Sequence, residues 1–144
     1  IPREIFTIFK DVDLIIHAGD LVSLEVIEQL KKIAPVKAVS GNMDTQEVRR
    51  ALPQKEIFSV GKFKIGLFHG NGPPEHIIFS AKEAFKEKLD VIIFGHAHRP
   101  ICENHGGILF FNPGSPTDTI FAPYRSCGIL EINDEIKARI VKLS

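Results

Sequence analysis

Four short apolar runs of this chain end in the same manner, and that repetition constrains the fold more than any other feature. Leu14-Ile15-Ile16-His17 leads into Ala18-Gly19-Asp20, and Lys37-Ala38-Val39-Ser40 into Gly41-Asn42. Ile65-Gly66-Leu67-Phe68 leads into His69-Gly70, and Val91-Ile92-Ile93-Phe94 into Gly95-His96-Ala97-His98. Short apolar runs bounded by turn residues read as buried strands. Each run therefore carries a carboxylate, an amide or an imidazole just past its carboxyl end. The neighbouring glycine permits a tight turn and close backbone approach. In open α/β sheets, ligands bind at that end of the strands. If the strands are parallel, Asp20, Asn42, His69, His96 and His98 converge on one spot.

The segments between the runs read mostly as helices. Residues 3–10 suit a short helix. Leu24, Val26, Ile27, Leu30 and Ile33 recur at helical spacing, with Ser23 as N-cap and Pro35 as the stop. Strands are expected at 13–17 and 36–40. Asp44-Thr45-Gln46-Glu47 reads as a capping box with Asp44 as the cap. Residues 56–60 and 63–68 flank Gly61-Lys62 as a hairpin. A helix is expected from Pro73-Pro74 through Leu89, then strands at 91–94, 108–111, 126–132 and 136–143. Strands alternating with helices predict a mostly parallel sheet covered on both faces. The strand-rich last third predicts a second sheet beside it. The expected architecture is α/β: a layered α/β/β/α sandwich of two mixed sheets, in one domain spanning 1–144, with a metal site at the carboxyl ends of the strands.

Composition narrows the function classes. Eighteen basic and 18 acidic residues cancel, so there is no basic footprint of the kind nucleic-acid binding leaves. No apolar run approaches the roughly 20 residues of a membrane helix, and the start lacks the pattern of a secretory leader. Cys102 and Cys127 sit in no metal-type spacing and read as reduced thiols of a cytoplasmic protein.

Carboxylate, amide and imidazole donors without thiolate suit Mn, Fe, Zn or Ni rather than a structural cysteine-type zinc site. A carboxylate can bridge two ions about 3.5–4 Å apart, as two-metal phosphatases require. Taken singly, Asp20 and Asn42 could be turn residues, and a lone histidine at a strand end is more often not a ligand. The repeated placement favours the metal reading.

His17-Ala18-Gly19-Asp20, Gly41-Asn42-Met43-Asp44, Phe68-His69-Gly70 and Gly95-His96-Ala97-His98 resemble, in order, the metal motifs of calcineurin-like metallophosphoesterases. Asn112-Pro113-Gly114-Ser115 resembles the turn of the small bacterial and archaeal phosphodiesterase subgroup. The resemblance implies a hydrolase, most simply a phosphodiesterase acting on a small phosphate ester, with two divalent ions (Mn, Ni, Zn, Fe or Mg). It implies that Asp20 bridges them, that Asn42, His69 and His96 complete the second site, and that His98 serves the first. Asp20, Asn42 and His69 would act in catalysis, through attack by a metal-bridging hydroxide.

Two departures accompany the resemblance. The family's opening Asp-x-His strand has no counterpart here, so the first strand is expected to be missing from the residues at hand. Met43 stands where many members carry a histidine, which implies activity that survives on esters with good leaving groups, such as nitrophenyl diesters, and is slow on ordinary phosphomonoesters. Asp44, Met43, His17 and Asn71 are candidates for contacts around the metals or substrate, and Pro73, Pro74 and Tyr124 for the pocket wall. His76 on a helix and His105 in a hairpin turn read as surface residues. The alternative is a non-catalytic scaffold like the retromer small subunit, which shares the fold. The protein is a possible homo-oligomer.

Overall fold

The computed structural model describes residues 1–21 and 23–144, apart from the side chain of Pro74. Its elements follow the chain as α1 (Arg3–Ile8), β1 (Ile15–His17), α2 (Glu25–Lys31), β2 (Val36–Ala38), α3 (Gln46–Ala51), β3 (Lys55–Val60) and β4 (Phe63–Phe68). A 3₁₀ turn (Pro74–His76) leads into α4 (Ile77–Glu83), followed by β5 (Val91–Ile93), β6 (Ile101–His105), β7 (Ile108–Asn112), β8 (Ser126–Ile132) and β9 (Ile136–Lys142).

The class is mixed α/β around a central mixed sheet, as expected. The order of that sheet is β3-β4-β5-β7-β6. Its three central strands β4, β5 and β7 run parallel, and β3 and β6 flank them antiparallel. The remaining described strands do not form one second mixed sheet. They form a parallel pair, β1-β2, and an antiparallel pair, β8-β9.

Side-chain alternation sorts the core into layers. Ile92, Phe94 and Phe110 point to one face, where they meet Ile77, Ala81, Phe85 and Leu89 of the α4 region. Ile65, Leu67, Val91 and Ile93 point to the other face, against Val39, Leu130, Ile132 and Ile136. Beyond that layer, Ile5 and Leu30 of the outer helices pack on Ile15, Cys127 and Leu143. Helix, sheet, strand pairs and helix thus stack in turn. Phe94 and Phe110 are fully buried, and truncating either to alanine is expected to cost about 3–5 kcal/mol.

Several local expectations are corrected. The cap of α3 is Thr45, whose side chain accepts from the Val48 N–H, so Asp44 is released for another task. The second helix begins at Glu25, with Ser23 Oγ accepting from the Glu25 N–H. The helix after Pro74 ends at Glu83 rather than Leu89. Phe85 and Leu89 still reach the core from an irregular segment. Strand β6 was not expected. It is an edge strand with mostly exposed residues, so it lacks an apolar run. His105 ends that strand rather than sitting in the turn. His76 lies in the 3₁₀ turn.

Candidate metal centre

The strand ends meet as the parallel arrangement requires. The Gly95 N–H donates to the His69 carbonyl at 2.8 Å, joining the loops after β5 and β4. A Cβ on Gly19 would lie 2.8 Å from His69 Nδ1, and one on Gly95 would lie 3.3 Å from the Ala18 methyl. The loop after β1 therefore packs directly on the loops after β4 and β5. Gly41 is tighter than either, because a Cβ there would collide with the Asp20 carboxylate and lie 2.7 Å from the Asp20 nitrogen.

Among the described residues, the non-glycine residues with positive φ are Asp20 (60°), His96 (67°) and His98 (54°). All three are predicted ligands. Left-handed backbone at non-glycine residues carries strain and clusters at functional sites.

His69 is buried. Its Nδ1 lies 2.8 Å from the Ala18 carbonyl. A carbonyl only accepts, so Nδ1 carries the proton and Nε2 presents its lone pair. That Nε2 is buried without a hydrogen-bond partner, although Asp20 Oδ2 is 3.2 Å away. The approach is close, but it lacks hydrogen-bond geometry. Two acceptors facing one another out of water repel unless a cation lies between them, and a metal-ligating histidine characteristically gives its other N–H to a carbonyl or carboxylate. The donors present therefore fit a divalent ion. The His96 ring stands edge-on to His69, with centroids 5.2 Å apart. Among the described residues the Asp20–His69 pair is close, but no group of three or more His, Cys, Asp or Glu side chains is gathered as a ready-made metal site.

Asp20 is fixed by the neighbouring loop, since its Oδ1 accepts the Met43 N–H at 2.9 Å. Asp44 is buried and reaches the other way, accepting from the N–H groups of Asp20 (2.9 Å), Leu21 (2.5 Å) and Gly41 (2.7 Å). Asn42 and Met43 are exposed on the same loop, and Asn71 is exposed beyond Gly70. His17 Nδ1 accepts the Gly19 N–H at 3.1 Å, bracing the turn that carries Asp20. Burial holds His17 down at about 4, against the pull of Asp44 and Asp20. Tyr124 lies beneath Lys142, whose Nζ is 5.2 Å from the ring centroid.

Asn112 is fully buried. It donates to the Gly95 carbonyl at 3.1 Å and accepts the Gly114 N–H at 2.9 Å, so the Asn-Pro-Gly-Ser turn supports the His96–His98 loop from below. Asp118 was not anticipated. Its carboxylate lies 2.7 Å from His98 Nδ1. It also accepts the N–H groups of Ile120, Phe121 and Ala122 at 2.8–3.1 Å. The Ile120 N–H, the His98 ring and the Phe121 N–H hold its carboxyl down at about 2. The available signal was position: Asp118 closely follows the Asn-Pro-Gly-Ser turn, and Ser115 Oγ accepts its N–H.

The calcineurin-like phosphoesterase superfamily domain matches residues 1–135. The chain belongs to this superfamily. Among its members, a probable metallophosphoesterase of Methanocaldococcus jannaschii is 36% identical over 150 residues, covering 99% of this chain and 73% of that protein. A phosphodiesterase of the same organism is 31% identical, covering 78% of this chain and 74% of its own length. A zinc complex of Vps29 from Entamoeba histolytica superposes with a TM-score of 0.76 at 27% identity, covering 99% of this chain and 89% of that one. The calcineurin-like phosphoesterases use divalent metals. No helix among the described residues is long and apolar enough to cross a membrane.

Proposed function

We propose that this protein is a two-metal phosphodiesterase whose ions are held by Asp20, Asn42, His69, His96 and His98. The observation that carries the reading is the buried, unpartnered Nε2 of His69 facing the Asp20 carboxylate. Asp20 would present one oxygen to a metal beside His69, because its other oxygen is held by the Met43 N–H. Divalent ions bound there supply charge neutralisation for the phosphate and lower the pKa of a water nucleophile. The chain's own part is to hold the ligands rigidly. Asp44 ties together the loops bearing Asp20 and Asn42, and Asn112 ties down the loop bearing His96 and His98. Asn42 is exposed on the loop after β2.

Met43 is 72% exposed on that loop and has no proton to give a leaving group. Such help is typically worth about 10²–10⁴-fold. The substrates are therefore esters with good leaving groups, and diesters rather than alkyl monoesters. The test is hydrolysis of bis(4-nitrophenyl) phosphate against an alkyl phosphomonoester, with Mn²⁺, Ni²⁺, Zn²⁺, Fe²⁺ and Mg²⁺ supplied in turn. Turnover of the diester with slow turnover of the monoester is expected. Fast alkyl monoester hydrolysis contradicts the proposal.

The second reading is a scaffold of the Vps29 kind. The exposed pair Ile120 and Phe121, at 80% and 86%, favours it, since apolar tips mark contact sites. A folded protein that binds no metal and hydrolyses nothing supports that reading.

A further inference from the structure

We propose that Asp118 is the positioning residue for His98, fixing its ring as the Nδ1–H tautomer so that Nε2 is presented as a metal ligand. The inference rests on the two-metal reading above and assigns a residue that the metal motifs do not contain.

A carboxylate lacking a proton only accepts, so the 2.7 Å contact between Asp118 Oδ2 and His98 Nδ1 fixes the proton on Nδ1. The neutral ring then carries its lone pair on Nε2, the form in which imidazole binds metals. The carboxylate is itself immobilised. Oδ1 accepts from Ile120 and Phe121, and Oδ2 also accepts from Ala122. The Asp118 N–H is in turn held by Ser115 Oγ at 3.1 Å. His98 sits on left-handed backbone at φ 54°, a conformation that persists only where its surroundings hold it. Asp118 supplies such a hold from 20 residues along the chain. A carboxylate hydrogen-bonded to the far nitrogen of a ligating histidine orients the ring and raises its basicity.

The substitution Asp118→Asn separates this role from a merely structural one. The amide has one acceptor oxygen, so its NH₂ faces either His98 or the backbone N–H groups. Facing His98, it forces the proton to Nε2 and removes the lone pair meant for the metal. Facing the backbone, it sets donor against donor and displaces the segment.

The experiment combines ¹⁵N NMR of the His98 ring in the metal-free full-length protein with Mn²⁺ titration of wild type, D118N, D118A and the control E131Q, at an exposed position of β8. The expected result is an Nδ1–H tautomer in wild type that is lost in D118N. One of the two ions should then bind about 10–100-fold more weakly in the Asp118 variants, while E131Q binds like wild type. Wild-type affinity for both ions in D118N and D118A overturns the proposal and leaves the two-metal reading standing. Absence of Mn²⁺ binding by wild type overturns both. An Nε2–H tautomer of His98 in wild type overturns the proposal without any variant, so the test survives a failure of D118N and D118A to fold.

Discussion

Asp20 and Asp44 brace one another's loops reciprocally: the Asp20 carboxylate accepts from the backbone at Met43, and the Asp44 carboxylate accepts from the backbone at Asp20, Leu21 and Gly41. One aspartate faces the candidate metal position, and the other, buried, holds the first in place.

Replacing Asp44 by alanine leaves those backbone donors without their acceptor. Leu21 and Gly41 are buried, and each unsatisfied buried donor costs about 1–3 kcal/mol. D44A is expected to lose about 3 kcal/mol of stability or more, measured by urea denaturation. A loss under about 1 kcal/mol contradicts the bracing role.

His69→Asn tests the division of labour within one ring. The asparagine amide can still donate to the Ala18 carbonyl, but it has no atom at the Nε2 position. H69N is expected to keep stability within about 2 kcal/mol of wild type, while Mn²⁺ affinity falls at least about 10-fold. Equal metal affinity in calorimetric titration counts against His69 as a ligand.

How much of this was legible in the sequence depends on what kind of signal each residue leaves. Asp20, His69, His96 and His98 stood out as candidates because each lies just past an apolar strand beside or near a glycine, a pattern that secondary structure imposes locally. Of the two readings of Asp44, only that of the α3 cap is overturned, because Asp44 and Thr45 are both competent caps and only the fold decides that Thr45 takes α3. Asp118 and the support from Asn112 come from tertiary approach: an irregular segment folds back on a strand end, which leaves no periodicity to read. Strand β6 escaped for a related reason, since an exposed edge strand needs no apolar run.

Met43 offers a gain-of-function test. Being 72% exposed, it can be replaced by histidine with little effect on folding, within about 0.5 kcal/mol. M43H is expected to raise kcat on esters with poor leaving groups, by up to about 10²-fold, and to change the rate on nitrophenyl diesters little. Steady-state kinetics on both substrates decide it, and an unchanged ratio contradicts the assigned role of position 43.

His17 predicts a pH dependence in the metal-free protein. Its folded pKa, about 4, lies below the ordinary value of 6.5. Between those two values the unfolded chain binds the extra proton, so stability rises with pH there. The contribution is full above pH 6.5 and is lost as pH falls towards 4. The ring keeps some solvent access, so the expected change is about 1–3 kcal/mol. His17→Gln should flatten the denaturation profile across that range, and an unaltered slope contradicts the prediction.

The central claim is that Asp20, Asn42, His69, His96 and His98 hold metal for phosphoester hydrolysis. The most direct measurement is the metal content of the full-length protein by mass spectrometry, after reconstitution with Mn²⁺ and desalting, alongside its intact mass. About two ions per chain are predicted. A folded protein of the correct mass that retains none contradicts the account.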